Sequence, residues 1–131
     1  MKYSAYIKNH AHDHQVSLRV GENEQSLSIA PKATGGSSIT GGELLFLALA
    51  TCYCNDIYRE AAKWDIAITN VEVDVEGDFD APGKPASNIV YRAKVEADAD
   101  AEKIRELMNY VDSIAEIQNS LRLGIPVKFE I

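Results

Sequence analysis

Two hydrophobic rhythms divide this chain, and they change places four times. Over residues 3–8, 15–20 and 25–29 polar and apolar side chains alternate, and turn-forming stretches such as Val20-Gly21-Glu22-Asn23 separate the runs. Period two with turns of this kind predicts a small antiparallel meander. Residues 31–42 then hold Pro31, four glycines, two serines and two threonines, a flexible connection whose end can cap a helix with Thr40 or Gly41. From 42 to 64 the chain reads as one long helix. Leu44 through Cys54 offer only the hydroxyls of Thr51 and Tyr53 as polar groups, so that half is apolar all round and is expected to run through a core.

After Trp64-Asp65 the rhythm returns to two, with Ile66, Ile68, Val71, Val73 and Val75 apolar and a phase shift at Thr69-Asn70 that predicts a bulge. Residues 78–86, with Pro82, Gly83 and Pro85, read as a hairpin loop. Residues 88–97 return as a strand with Ile89, Tyr91, Ala93 and Val95 on one face. Asp98-Ala-Asp-Ala-Glu starts a helix whose apolar positions Ile104, Leu107, Met108 and Val111 fit a 3.6 period, and a shorter helix follows, ending at Leu123-Gly124. Val127, Phe129 and Ile131 predict a closing strand. The order β-β-β-α-β-β-α-α-β is α+β, and 131 residues form one domain, 1–131.

A net charge of −7 removes the electrostatic basis for nucleic acid or anionic membrane surfaces as partners. The apolar run is well short of the roughly 20 residues that span a bilayer. The first residues, Met-Lys-Tyr-Ser-Ala-Tyr, lack the apolar core of a secretion signal, so a cytoplasmic protein is expected. The two cysteines, Cys52 and Cys54, both lie in the long helix. Positions i and i+2 of a helix point about 200° apart, so the two are expected to be free thiols in a reducing compartment. A thiol there is inert unless a pocket reaches it and a positive charge holds it ionised.

The Gly-rich loop leading into Gly-Glu-Leu-Leu-Phe-Leu-Ala-Leu-Ala-Thr-Cys, with Pro-Lys-x-x-Gly-Gly at 31–36, Glu43-Leu44 and Cys52, resembles the OsmC/Ohr family of osmotically induced and organic-hydroperoxide-resistance proteins. The late stretch Ala115-Glu-Ile-Gln-Asn-Ser-Leu121 is a second match. The resemblance implies antiparallel sheets wrapped around a long central helix in an intertwined homodimer, with a cysteine near the subunit boundary. It also implies thiol-dependent peroxidase chemistry. A first cysteine, matched by Cys52, attacks the O–O bond of a small hydrophobic hydroperoxide, and a second one captures the resulting sulfenic acid. The second belongs in the late helix, where this chain has Ala115 and Glu116, so an external thiol reductant takes its place. Arg19, the only arginine before Cys52, is matched to thiolate stabilisation, and Glu43 to orienting that arginine.

Other residues have competing readings. Cys54 and Tyr53 could contribute to an apolar ligand pocket, which suits the alternative of a non-catalytic binding module for a small hydrophobic molecule. His10, His12 and His14 would share one face of an extended strand, a spacing that suits zinc or nickel, yet a hairpin tip makes them a solvated turn, and no metal or other cofactor is assigned. Asp56, Arg59 and Glu60 follow Cys52 at i+4, i+7 and i+8. They read either as a solvated helix end or as an extension of the thiol's surroundings, with Arg59 about 10 Å along the axis.

Overall fold

The computed structural model describes residues 1–131, which form two compact units, Met1–Leu44 and Leu45–Ile131. In the first unit β1 (Tyr3–His10), β2 (Asp13–Val20) and β3 (Asn23–Ser26) form an antiparallel sheet in the order β1-β2-β3. The register runs from Tyr3 opposite Val20 to His10 opposite Asp13, so the histidines are split across the hairpin tip and His12 sits in the turn. Asn9 donates to the Gly36 carbonyl at 3.2 Å and accepts from the Gly36 N–H at 3.1 Å. Pro31 bridges Ser37. The loop read as a flexible connection is thus held by the Asn9 side chain and by backbone hydrogen bonds such as Lys32 N–H to the Gly36 carbonyl.

Helix α1 (Gly41–Lys63) starts in a capping box. Glu43 N–H donates to Thr40 Oγ1 at 3.1 Å, and Thr40 N–H donates to Glu43 Oε1 at 3.0 Å. In the second unit α1 is followed by the hairpin β4 (Ile68–Asp78) and β5 (Ser87–Ala97), then α2 (Ala101–Ile114) and α3 (Glu116–Leu123). The β4–β5 register slips between Ile68 and Asn70, where the alternation changes phase. Asp100 caps α2 by accepting from Lys103 N–H at 2.8 Å, and Gly124, in the left-handed region with φ 61°, closes α3. At Gly77 a side chain would meet the Phe46 ring at 2.8 Å, so only glycine lets that ring lie on the strand.

The core of this unit is Tyr53, Ile57, Ala61, Ile66, Leu107 and Val111, with Val71, Val73, Tyr91 and Val95 packed against it. It is built on Leu49, Tyr53, Ile57 and Ala61, one stripe of α1 at helical spacing. The opposite face is not covered within the chain: Leu47 and Tyr58 are exposed. The expectation of a helix buried all round is therefore met on one side only. The closing strand is absent too. Val127, Phe129 and Ile131 alternate as a strand should but are 96, 87 and 116% exposed, with no ladder partner in the chain. An extended segment gains nothing from period two until another strand supplies hydrogen bonds.

Candidate functional site

Cys52 is half-buried where the middle of α1 meets the start of α3. Ala115, at the N-cap of α3, is fully buried and offers no side-chain cap. An uncapped first turn leaves backbone N–H groups in search of an acceptor, and the Ile117 N–H favours the ionised form of the Cys52 sulfur. The thiol donates in turn to two carboxylates, Glu116 Oε2 at 3.5 Å and Asp56 Oδ2 at 3.8 Å. The spacing from Cys52 to Asp56 is one helical turn. Glu116 arrives from 64 residues away, and nothing local in the sequence announces it.

Arg59 binds both acids. Its Nη1 lies 2.8 Å from Asp56 Oδ1 and 3.9 Å from Glu116 Oε1, while its Nε donates to Glu60 Oε2 at 2.8 Å. Lys63 Nζ reaches the same Glu60 oxygen at 3.0 Å. Asp56 and Glu60 are each only 3% exposed, which corrects the solvated-end reading of this stretch. They stay buried because the neighbouring guanidinium and ammonium compensate them. The sulfur and the carboxylate oxygens of Asp56 and Glu116 lie within 4.8 Å of one another, a donor set that could hold a metal ion. Arg59 already supplies the positive charge that such a set would draw from an ion.

The electrostatics divide the group into proton holders and acceptors. Burial pushes the Cys52 thiol up from its ordinary value; the Ile117 N–H opposes this, and the charges of Asp56 and Glu116 reinforce it. Burial, followed by the facing Glu116, also raises Asp56, while Arg59 works the other way. Glu116 is held below its usual range by its backbone N–H, with further hydrogen bonds from Asp56 and Cys52. At neutral pH the thiol is therefore protonated, and Glu116 is the ionised acceptor beside it.

The other expected site residues have local partners. Arg19 donates to Glu24 at 2.6 Å, an exposed ion pair across β2 and β3. Glu43 is occupied by the Thr40 hydrogen bonds, which hold its carboxyl below the ordinary value. Tyr53 is core: its hydroxyl donates to the Met108 carbonyl at 2.9 Å, its ring packs edge-on to Tyr91, and burial with the nearby Asp112 pushes its phenol up to about 12. Cys54 is half-buried and free. A cavity of about 230 Å³ lies between Leu49, Ile89, Tyr91, Gln118, Leu121 and Arg122.

The thiol is in contact with an acidic pair that shares a guanidinium, so proton donors and acceptors lie within reach of sulfur. The family model described as OsmC-like protein matches residues 34–130, and the chain belongs to that family. No curated protein matches the sequence. Among solved structures, an OsmC-like protein from Mycoplasma pneumoniae is similar at 17% identity, covering 93% of this chain and 88% of that one with a TM-score of 0.65. A Legionella pneumophila protein called an organic hydroperoxide resistance protein OsmC is 16% identical, with 98% and 94% coverage and a TM-score of 0.61. The organic hydroperoxide resistance protein OhrB of Bacillus subtilis is 19% identical, with 99% and 97% coverage and a TM-score of 0.56. At these identities the likeness establishes the fold, α+β with antiparallel sheets and three helices. No helix is long and apolar enough to cross a membrane.

Proposed function

We propose that this chain is a thiol-dependent reductase of small hydrophobic hydroperoxides, with Cys52 as nucleophile and an external thiol as reductant. The observation that carries the reading is the partly accessible Cys52 sulfur, in contact with Glu116 and Asp56 and one side chain away from the Arg59 guanidinium. The names of the Legionella and Bacillus relatives in the fold support the choice of substrate. Cys54, the other sulfur, is two residues along the same helix and points away, so the sulfenic acid is resolved by a thiol from outside the chain. Arg19 and Glu43 can act on the thiol, as thiolate stabiliser and as the group orienting that arginine, only by leaving Glu24 and Thr40.

The working form is a homodimer of one-domain chains in the cytoplasm, in the intertwined arrangement of the family, with the thiol near the subunit boundary. Exposed Leu47 and Tyr58 on α1 and the unpaired alternation of Val127, Phe129 and Ile131 favour such an assembly. Consumption of cumene hydroperoxide with excess dithiothreitol tests the activity. The wild type and Cys54→Ser turn over and Cys52→Ser does not; equal rates in all three refute the proposal.

A second reading is favoured by the raised thiol and by the cavity beside Leu49 and Tyr91: a non-catalytic module that binds a small apolar ligand. Native mass spectrometry separates the two. A co-purified ligand with thiols that resist alkylation supports binding over chemistry.

A further inference from the structure

We infer that Glu116 is the catalytic base that takes the Cys52 proton, and that Asp56 is the acid that returns a proton to the departing alkoxide. The inference deepens the peroxidase reading and rests on it. Nucleophile and base are within hydrogen-bond reach, and a third group orients the base, the relation that marks an activated nucleophile. Glu116 Oε2 accepts from Sγ at 3.5 Å, Asp56 Oδ2 lies 3.8 Å from the same sulfur, and Arg59 touches both acids.

The charge count around Arg59 favours holding a proton there. Asp56, Glu60 and Glu116 present three carboxyl groups to the two cations Arg59 and Lys63. One acid is in excess, and of the two acids facing the sulfur burial favours the protonated form of Asp56, while Glu116 is held toward its ionised form. A hydroperoxide ROOH meeting the thiol forms a bond between Sγ and its terminal oxygen as the O–O bond breaks. The two electrons of the S–O bond come from sulfur, and the O–O pair leaves with RO⁻. The thiol proton passes to Glu116, and the Asp56 proton goes to RO⁻. The balance is Cys-SH + ROOH giving Cys-SOH + ROH, with one proton left on the acid pair as at the start. Transfer to a carboxylate is uphill for a resting thiol and completes only as S–O bonding removes the sulfur's basicity. The Ile117 N–H supports the negative charge that develops on sulfur meanwhile.

The test uses the full chain carrying Cys54→Ser, so that alkylation reports Cys52 alone. Two rates are followed from pH 5 to 10: alkylation by iodoacetamide, and reduction of cumene hydroperoxide with dithiothreitol. Glu116→Gln removes a negative charge facing the sulfur, so alkylation at pH 7 is expected to quicken. Hydroperoxide reduction is expected to fall about 100-fold at pH 7 and to recover as pH rises, because solvent then removes the proton. Glu116→Asp recovers part of the loss, and Asp56→Asn slows reduction without slowing alkylation.

If Glu116→Gln reduces hydroperoxide as fast as its parent or faster, Glu116 is only a restraining charge and the inference is overturned while the peroxidase reading stands. A parallel loss of both rates means a displaced thiol and overturns it as well. A parent no more active than Cys52→Ser removes the peroxidase reading and this inference together.

Discussion

The second unit contains two groupings built from the same parts, a weakly acidic donor, a carboxyl group and an arginine. Around Tyr91 there is one acid per cation. Tyr91 donates to Asp112, Arg122 Nη2 reaches the same carboxylate at 2.7 Å, and Arg122 Nη1 also holds the Asp112 carbonyl at 3.1 Å and Asn119 Oδ1 at 3.0 Å. The charges cancel and the donor bonds are used, so no proton has anywhere to go. Around Cys52 the acids outnumber the cations, the donor is a thiol, and two of the acids are buried. The first grouping fastens α3 to α2 and β5. The second fastens α3 to α1 with one acid more than its cations match, and that excess is what the proposed chemistry at Cys52 draws on.

The comparison presupposes a common core, and removing it gives the largest effect. Leu107 and Ile57 are fully buried in the cluster that carries α1, α2 and the hairpin. Leu107→Ala is expected to cost about 2–5 kcal/mol in chemical denaturation. A loss under about 1 kcal/mol would mean that this core does not support the unit.

The arginines come next. Arg59→Met leaves Asp56 and Glu60, both nearly inaccessible, without their guanidinium, and the expected cost is about 1–3 kcal/mol. Arg122→Met exposes the partly solvated Asp112 to water, which replaces much of what is lost, so its cost is smaller. The reverse order in urea midpoints would contradict the assignment of the buried charge to the Cys52 side. Tyr91→Phe removes one hydrogen bond, worth about 1 kcal/mol, and leaves Cys52 alkylation unchanged; altered alkylation would show that the two groupings are coupled.

Periodicity made the architecture legible, because each element announces itself within its own residues. The helix over 41–63, the phase change at Thr69-Asn70, the helical spacing of Ile104, Leu107 and Val111, and Gly124 as a stop are all local signals. The cysteine and its place on the central helix were legible for the same reason. Its partners were not. Glu116 meets Cys52 across 64 residues, and only the approach of α3 to α1 decides that contact. Asp56 and Glu60 read as solvated because a charged residue near a helix end is usually wet; here cations on the same helix let them be buried. The strand expected at Val127, Phe129 and Ile131 has the right alternation, but alternation cannot supply the second strand that a ladder requires.

The smallest effect is also the sharpest, because the two groupings give it opposite signs. Burial works to raise Asp112, but hydrogen bonds from Tyr91 and Arg122 outweigh it and hold the carboxyl below its ordinary value. A depressed acid contributes stability above the unfolded value of about 3.9 and loses it as pH falls through the folded value. Asp56 is raised, so its contribution is present below that unfolded value and is lost as pH rises through the folded one. Asp112→Asn should therefore destabilise at pH 7, with the deficit from wild type shrinking toward pH 3. Asp56→Asn should be neutral or stabilising at pH 7 and lose that advantage toward pH 3. Urea midpoints of the three proteins at the two pH values check this. Deficits that move the same way with pH would mean that the Cys52 acids are compensated as fully as Asp112, and then no surplus proton is available for the sulfur.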